Sequence, residues 1–207
     1  MKVGTDGILL GAWADVSDCQ HILDMGTGTG LVALMLAQRS HEHCQIEAVE
    51  LDPLAAQQAQ ENFKASPWHN RLHLTRQNVQ TYCQQTAHQF DLIVANPPYF
   101  SQGVECKNDE RALARYVQQS HLDWLNWAAS CLSEKGKISF VLPYEAGKTL
   151  INSTALYCIK QTDVITKIGK EPQRMLLTFS RENLLQVKDR LVIYDGNNQY
   201  TAAFITL

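Results

Sequence analysis

Asn96, Pro97, Pro98 and Tyr99 stand in a row directly after the apolar run Phe90-Asp91-Leu92-Ile93-Val94-Ala95. An amide, two rigid residues and an aromatic ring at the end of a core strand suit one chemical task. They can hold a flat group that carries an NH2. The Asn96 amide oxygen can accept one N–H of that group. The Pro97 carbonyl can accept the other, and proline has no N–H of its own to compete. The Tyr99 ring can stack on the flat group. The same four residues also suit a strand that ends in prolines at a surface turn, and alone they do not decide between the two.

A second group of residues supplies what the first lacks. Asp24-Met25-Gly26-Thr27-Gly28-Thr29-Gly30 follows a short apolar stretch. Its alternate glycines let the backbone pass close to a ligand. The dinucleotide fingerprint needs its third glycine one place later, where Leu31 stands. An acid at the strand end, Asp24, also sits badly beside a pyrophosphate and well beside a cation. Glu50, twenty residues after Gly30, is placed to accept ribose hydroxyls. Asp24, Gly26, Thr27, Gly28, Gly30 and Glu50 together suit an adenosyl ligand with a cationic tail and no phosphate. S-adenosylmethionine has that chemistry. A glycine turn required only for strand-to-helix packing is the plainer alternative for the glycines by themselves.

The elements that must position these residues alternate. Strands are expected at 21–24, 45–51, 71–75, 90–95, 137–142, 175–179 and 191–194. Helices are expected from Leu31 to about Arg39, from Asp52-Pro53 towards Lys64, around Leu122 to Leu132, and from Tyr144 to about Leu156. Thr5-Asp6 reads as the cap of a first helix, and Gly136 as the stop of the helix before the fifth strand. The expectation is an α/β fold: a doubly wound, mostly parallel seven-stranded sheet with an antiparallel C-terminal strand. In such sheets ligands gather at the carboxyl ends of the strands, where the glycine loop, Glu50, Asn78 and Asn96 all fall.

Composition narrows the class. The chain has 207 residues and a net charge of −3, which argues against unspecific grip on nucleic acid. Residues 160–207 nevertheless carry 7 basic and 5 acidic side chains, a weak pointer to an anionic partner. Six scattered cysteines without a Cys-x-x-Cys pair favour reduced thiols in a cytoplasmic protein. His41-Glu42-His43-Cys44 is the one metal-like cluster and reads as a solvated loop, so no metal is expected. No apolar run is long enough to cross a bilayer as a helix.

With these residues in view, the chain resembles the class I S-adenosylmethionine-dependent methyltransferases, which have a Rossmann-like fold. Their glycine motif matches Asp24 to Gly30, their ribose acid matches Glu50, and their amine-methylating tetrapeptide matches Asn96 to Tyr99. Lys2 to Trp13, Gln60-Glu61-Asn62, Ser66-Pro67-Trp68 and Gln102 to Cys106 are similar to the bacterial family that methylates N6 of adenine 37 in tRNA1(Val). The resemblance implies a tRNA substrate, with Asn96, Pro97, Pro98 and Tyr99 as catalytic residues. It implies that Asn96 also borders the cofactor and that Asn78, where many relatives have Asp, meets the cofactor's adenine. It further implies one domain over residues 1–207, shorter than the family at the N-terminus and by a short C-terminal tail. The polar stretch from Ser101 to Ser120 is expected to be a lid or an RNA-contacting loop, and Phe100 ordinary packing. A protein glutamine methyltransferase, a DNA adenine methyltransferase and a non-catalytic binding module are the competing functions.

Overall fold

The computed structural model describes residues 4–98 and 120–207. Lys2, Val3, Tyr99, Phe100 and the expected lid up to residue 119 lie outside them. Helix α1 (Thr5–Trp13) precedes β1 (His21–Met25), α2 (Leu31–Arg39), β2 (Gln45–Glu50), α3 (Pro53–Ala65), β3 (Leu72–Arg76), α4 (Val79–Gln85) and β4 (Phe90–Ala95). Then come α5 (His121–Ser130), β5 (Leu132–Pro143), α6 (Tyr144–Ser153), β6 (Tyr157–Lys167), β7 (Arg174–Ser180), β8 (Val187–Tyr194) and a short α7 (Ala202–Ile205).

The strands form one sheet in the order β3-β2-β1-β4-β5-β7-β6-β8. Strands β1 to β5 are mutually parallel where they pair. The order reverses at β1, which lies between β2 and β4. The expected antiparallel character near the C-terminus is found in β7, which runs against both β5 and β6. Strand β8 then lies parallel to β6. Alternate residues serve opposite faces, as a sheet's period of two requires. Ile22, Ile46, Leu92 and Val94 join α1, α2 and α3 through Leu10, Leu36 and Phe63. Leu23, Met25, Ile93 and Ala95 join α4, α5 and α6 through Tyr82, Trp124 and Leu150. Both faces are covered, so the strands read as nearly continuous apolar runs.

Four expectations are corrected. The sheet has eight strands, not seven, because Tyr157–Lys167 is a strand. Its polar run Lys160-Gln161-Thr162-Asp163 hides the pattern, since only Thr162 of these four is buried. Helix α1 has Gly4 as its N-cap without a side-chain cap, because Asp6 is engaged across the fold by Arg174 at 3.0 Å. Gly136 does not stop α5, which ends at Ser130. It lies inside β5 beside the register shift between Phe90 and Leu92. Finally, α6 ends at Ser153, three residues short of Leu156.

Helix ends are tied to neighbouring elements. Asp52 caps α3 by accepting from Ala55 N at 2.8 Å, with Pro53 in the first turn, as the sequence suggested. Arg39 donates to the Gly11 and Ala14 carbonyls at the C-terminus of α1. Gly11 lets α1 approach α2 closely: a Cβ there would sit 2.7 Å from the Met35 sulfur. This packing holds the first turn of α1 beside the carboxyl ends of the central strands.

The Gly136 environment predicts a measurable cost. A Cβ at this position would lie 2.7 Å from both the Phe90 carbonyl oxygen and Leu132 Cδ1. Backbone cannot move aside cheaply, so Gly136→Ala should destabilise the fold by about 1–3 kcal/mol. Urea unfolding curves that superimpose on the wild type would contradict the packing described for β4 and β5.

Candidate functional site

The reversal of strand order places the ends of β1 and β4 side by side, the usual ligand crevice of such sheets. Asp24 pairs in register with Val94, and Met25 with Ala95. Asn96 therefore emerges next to the start of the glycine loop. A cavity of about 230 Å³ lies there, lined by Gly4 and Gly7 of α1, by Asp24, by the loop from Gly26 to Thr29, and by Asn96.

The loop is built by its glycines and by one buried carboxylate. Gly26, Gly28 and Gly30 have φ of +70°, +59° and +84°, the left-handed region that glycine alone enters without strain. A side chain at Gly30 would drive its Cβ into the Phe63 ring, so this glycine also lets α3 close on the loop. Asn62 of α3 donates to the Thr29 carbonyl at 2.8 Å. Asp24 is 2% exposed. Its Oδ2 accepts from the Thr27 hydroxyl at 2.6 Å and from Ala33 N at 3.1 Å. Asp24 thus caps the first turn of α2 from outside the helix, where Gly30 offers no side chain.

Burial pushes the Asp24 carboxyl up from its ordinary 3.8 to about 6, against the pull of these two hydrogen bonds and helped by the nearby Glu50 charge. A cation in the cavity would favour the ionised form. The loop has little to offer an anion. Gly26 N and Thr27 N donate to the Val49 carbonyl, Gly30 N to the Thr27 carbonyl, and Gly28 N to Glu50 Oε2 at 2.8 Å. With four N–H groups spent internally and a buried acid at its base, the site suits a positive ligand without phosphate. The ammonium and sulfonium groups of S-adenosylmethionine supply such positive charge.

The remaining expected residues divide into two sets. Glu50 does not line the cavity but is fastened to it through Gly28. Its Oε1 also accepts from Leu51 N and Asp52 N, each at 2.8 Å. Three of roughly four acceptor positions on this carboxylate are therefore occupied. Asn78 lies at the N-cap of α4, where its Oδ1 accepts from Thr81 N at 3.3 Å. The structure gives this side chain a capping task that the sequence reading missed. Pro97 is buried and Pro98 exposed, beside the half-buried Asn96. The catalytic expectation for Tyr99 falls outside the described residues. His41 to Cys44 form a loop in which Arg71 donates to the His41 and Cys44 carbonyls. Among the described residues no three His, Cys, Asp or Glu side chains are grouped to hold a metal.

Two residues of α5 belong to the site and were not anticipated. The Trp124 ring backs the loop, since a Cβ on Gly26 would lie 3.0 Å from its Cη2. Its indole N–H is buried without a hydrogen-bond partner among the described residues. One turn earlier, His121 bonds to the Pro98 backbone, while burial holds its imidazole below the ordinary value. Residues three apart share a helix face. The face of α5 that backs the glycine loop therefore also steadies the Asn96 tetrapeptide. A capping box fixes where this helix begins: Ser120 Oγ accepts from Asp123 N at 3.1 Å, and Asp123 accepts from Ser120 N at 2.8 Å. The Ser120-x-x-Asp123 spacing was the signal in the sequence that could have placed it.

The chain is similar to known proteins over its whole length. Residues 7–166 match the family model described as methyltransferase small domain. A tRNA1(Val) (adenine(37)-N6)-methyltransferase of Haemophilus influenzae is 70% identical over 207 residues, covering 100% of this chain and 89% of that protein. The protein of that name in Pasteurella multocida is 60% identical over 208 residues, with coverage of 100% and 88%. Among solved structures, a protein described as a predicted O-methyltransferase from Agrobacterium tumefaciens superposes with a TM-score of 0.74 at 19% identity, covering 96% of this chain and 92% of its own. A ribosomal protein L11 methylase from Lactobacillus delbrueckii gives 0.58 at 17%, covering 86% and 77%. At these identities the two structures speak for the fold alone.

The Asp24 environment predicts a pH signature in the ligand-free protein. A carboxyl whose folded value is raised contributes most below its unfolded value, and that contribution is lost as pH rises through about 6. Asp24→Asn keeps an oxygen for Thr27 and Ala33 but cannot ionise. From pH 4 to 7 the wild type should lose roughly 2–3 kcal/mol relative to this variant. Urea unfolding across that range is the check, and parallel stability profiles would contradict a raised Asp24.

Proposed function

The chain belongs to the methyltransferase small domain family, and from this premise we propose that it moves a methyl group from S-adenosylmethionine to the exocyclic N6 of an adenine in tRNA, adenine 37 of tRNA1(Val). One observation carries the reading. Asn96, the first residue of the amine-gripping tetrapeptide, opens onto the same cavity as Asp24 and the glycine loop. Donor and acceptor can therefore share one space. The names of the relatives at 70% and 60% identity supply the substrate.

Each residue has a definable task. Asp24 offers a buried negative charge to the cofactor's ammonium group. Gly26, Thr27, Gly28 and Gly30 shape a wall without side chains in the way. Glu50 is held by three backbone donors, so it can take a ribose hydroxyl with little loss of freedom. Asn78 retains its amide NH2 and one lone pair for the adenine edge. When bound, the cofactor brings a methyl group already activated by its sulfonium.

The chain's own contribution is alignment and charge stabilisation. The exocyclic nitrogen of adenine is a weak nucleophile because its lone pair is delocalised into the ring. Asn96 Oδ1 and the Pro97 carbonyl would accept its two hydrogens, draw the nitrogen towards tetrahedral geometry and stabilise the positive charge that develops there. Pro97 and Pro98 stiffen this grip, and His121 restrains Pro98. Tyr99 would stack on the base once it has left the RNA stack. Work on tRNA supports the expectation of a cytoplasmic protein.

The test is methyl transfer from labelled cofactor to unmodified tRNA, release factor and DNA offered separately, with the product identified by mass spectrometry. Label on adenine N6 of tRNA is expected. Label on glutamine alone would replace this reading with protein methylation, and no label would leave a binding module. Asn96→Ala should lower kcat by about 10²–10³-fold while calorimetry finds cofactor affinity within about twofold. Near-normal turnover by this variant would remove the proposed mechanism.

A further inference from the structure

A second cavity lies on the same edge of the sheet. Strand β7 runs against both β5 and β6, so β6 points the same way as β5, and β8 follows β6. The carboxyl ends of β6 and β8 are thus on the edge where Asp24 and Asn96 meet. There a cavity of about 370 Å³ opens between these strand ends and α1. The first turns of α1 divide the two spaces. Gly4 and Gly7 line the smaller cavity, while Thr5, Asp6, Ile8 and Leu9 line the larger one.

The walls of the larger cavity are unlike each other. On the strand side stand three aromatic rings, Tyr194, Tyr200 and Phe204. Tyr200 stacks on Tyr194 at 4.9 Å and 22°, and on Phe204 at 4.9 Å and 28°. A stack of this kind also serves packing, and Tyr194 and Phe204 do touch the core. Yet Tyr200 is 53% exposed and Ile8, on the helix side, 38%. Polar groups line the space as well: Gln173, Thr166, and the Asp6–Arg174 pair, in which Arg174 Nε donates to Asp6 Oδ2 at 3.0 Å. Lys167 ends β6, where its Nζ donates to Asn198 Oδ1 at 2.7 Å, and the exposed Lys170 lies in the turn that follows. Of the nearby acids, Asp6 is held by Arg174, Asp195 by Asn197 N and Gln199 N, and Glu171 is exposed.

An aromatic wall facing an aliphatic one suits a flat ring. Donors and acceptors together suit the edge of a nucleobase, and the exposed Lys170 suits its phosphate. Unstacked bases in RNA are held by this combination. We propose that the cavity between α1 and the Tyr194–Tyr200–Phe204 wall binds one unpaired nucleotide of the RNA, flanking the adenine presented to Asn96. The inference rests on the tRNA reading above. It gives α1 two ligand-bearing faces, one for cofactor and one for RNA.

The test uses the full chain and an unmodified tRNA1(Val) transcript. Tyr200→Ala should raise the KM for RNA about tenfold or more, with kcat and the KM for cofactor within about twofold. Tyr200→Phe, which keeps the ring, should restore the wild-type value. A tRNA carrying 5-bromouridine at positions flanking adenine 37, irradiated with the wild-type protein, reports the site without any mutation. The expected crosslink falls within residues 194–204. RNA methylation by the wild type, together with an unchanged KM in Tyr200→Ala and crosslinks only elsewhere, would overturn this site and leave the activity intact. Failure of the wild type to methylate any RNA would overturn the activity, and this site with it.

Discussion

The arrangement depends on one buried carboxylate. Asp24, the last residue but one of β1, ties Thr27 of the glycine loop and caps α2 through Ala33. Three elements converge on a single oxygen at 2% exposure. A buried charge is costly without a counterion, and burial pushes this one up to about 6. The protein thus holds a group whose ionised form improves when a cation arrives. Asp24 ties β1, the loop and α2 together, so deleting its side chain would disturb the fold as well as the proposed ligand site.

Around that carboxylate the sheet supplies geometry rather than reactivity. The reversal of strand order at β1 brings Asn96 beside the loop, and the two prolines limit what Asn96 can do next. Glu50 is clamped by Gly28, Leu51 and Asp52. Trp124 and His121, on one helix, press on the donor side and restrain the acceptor side respectively. A methyl already activated by sulfonium needs alignment more than acid or base. A fold whose parts fix distances is suited to that demand.

Much of this was legible in residues that act where they stand. The glycine loop, Glu50, Asn96 and the Asp52-Pro53 helix start all sit at or just after strand ends that short apolar runs announce. The sequence could not show contacts made across long separations. Asp6 looked like a helix cap because its partner, Arg174, lies 168 residues away. Gly136 looked like a helix stop because the Phe90 carbonyl that excludes a side chain belongs to another strand. Strand β6 was hidden because its exposed positions are polar and its buried ones include Thr162. Asn78 was read only as a ligand, although the helix it caps follows at once. Trp124 and His121 were not singled out within or before the helix expected around Leu122 to Leu132, since nothing in that stretch names the loop and the proline they reach.

In the proposed reaction, donor and acceptor meet in one cavity between Asp24 and Asn96. A crystal structure of the protein with S-adenosylmethionine bound measures this directly. The ammonium group is expected on the Asp24 side and the methyl carbon within about 4 Å of Asn96 Oδ1, pointing towards the space where an adenine N6 would lie, as in-line transfer requires. A cofactor bound elsewhere, or one whose methyl group turns away from Asn96, would contradict it.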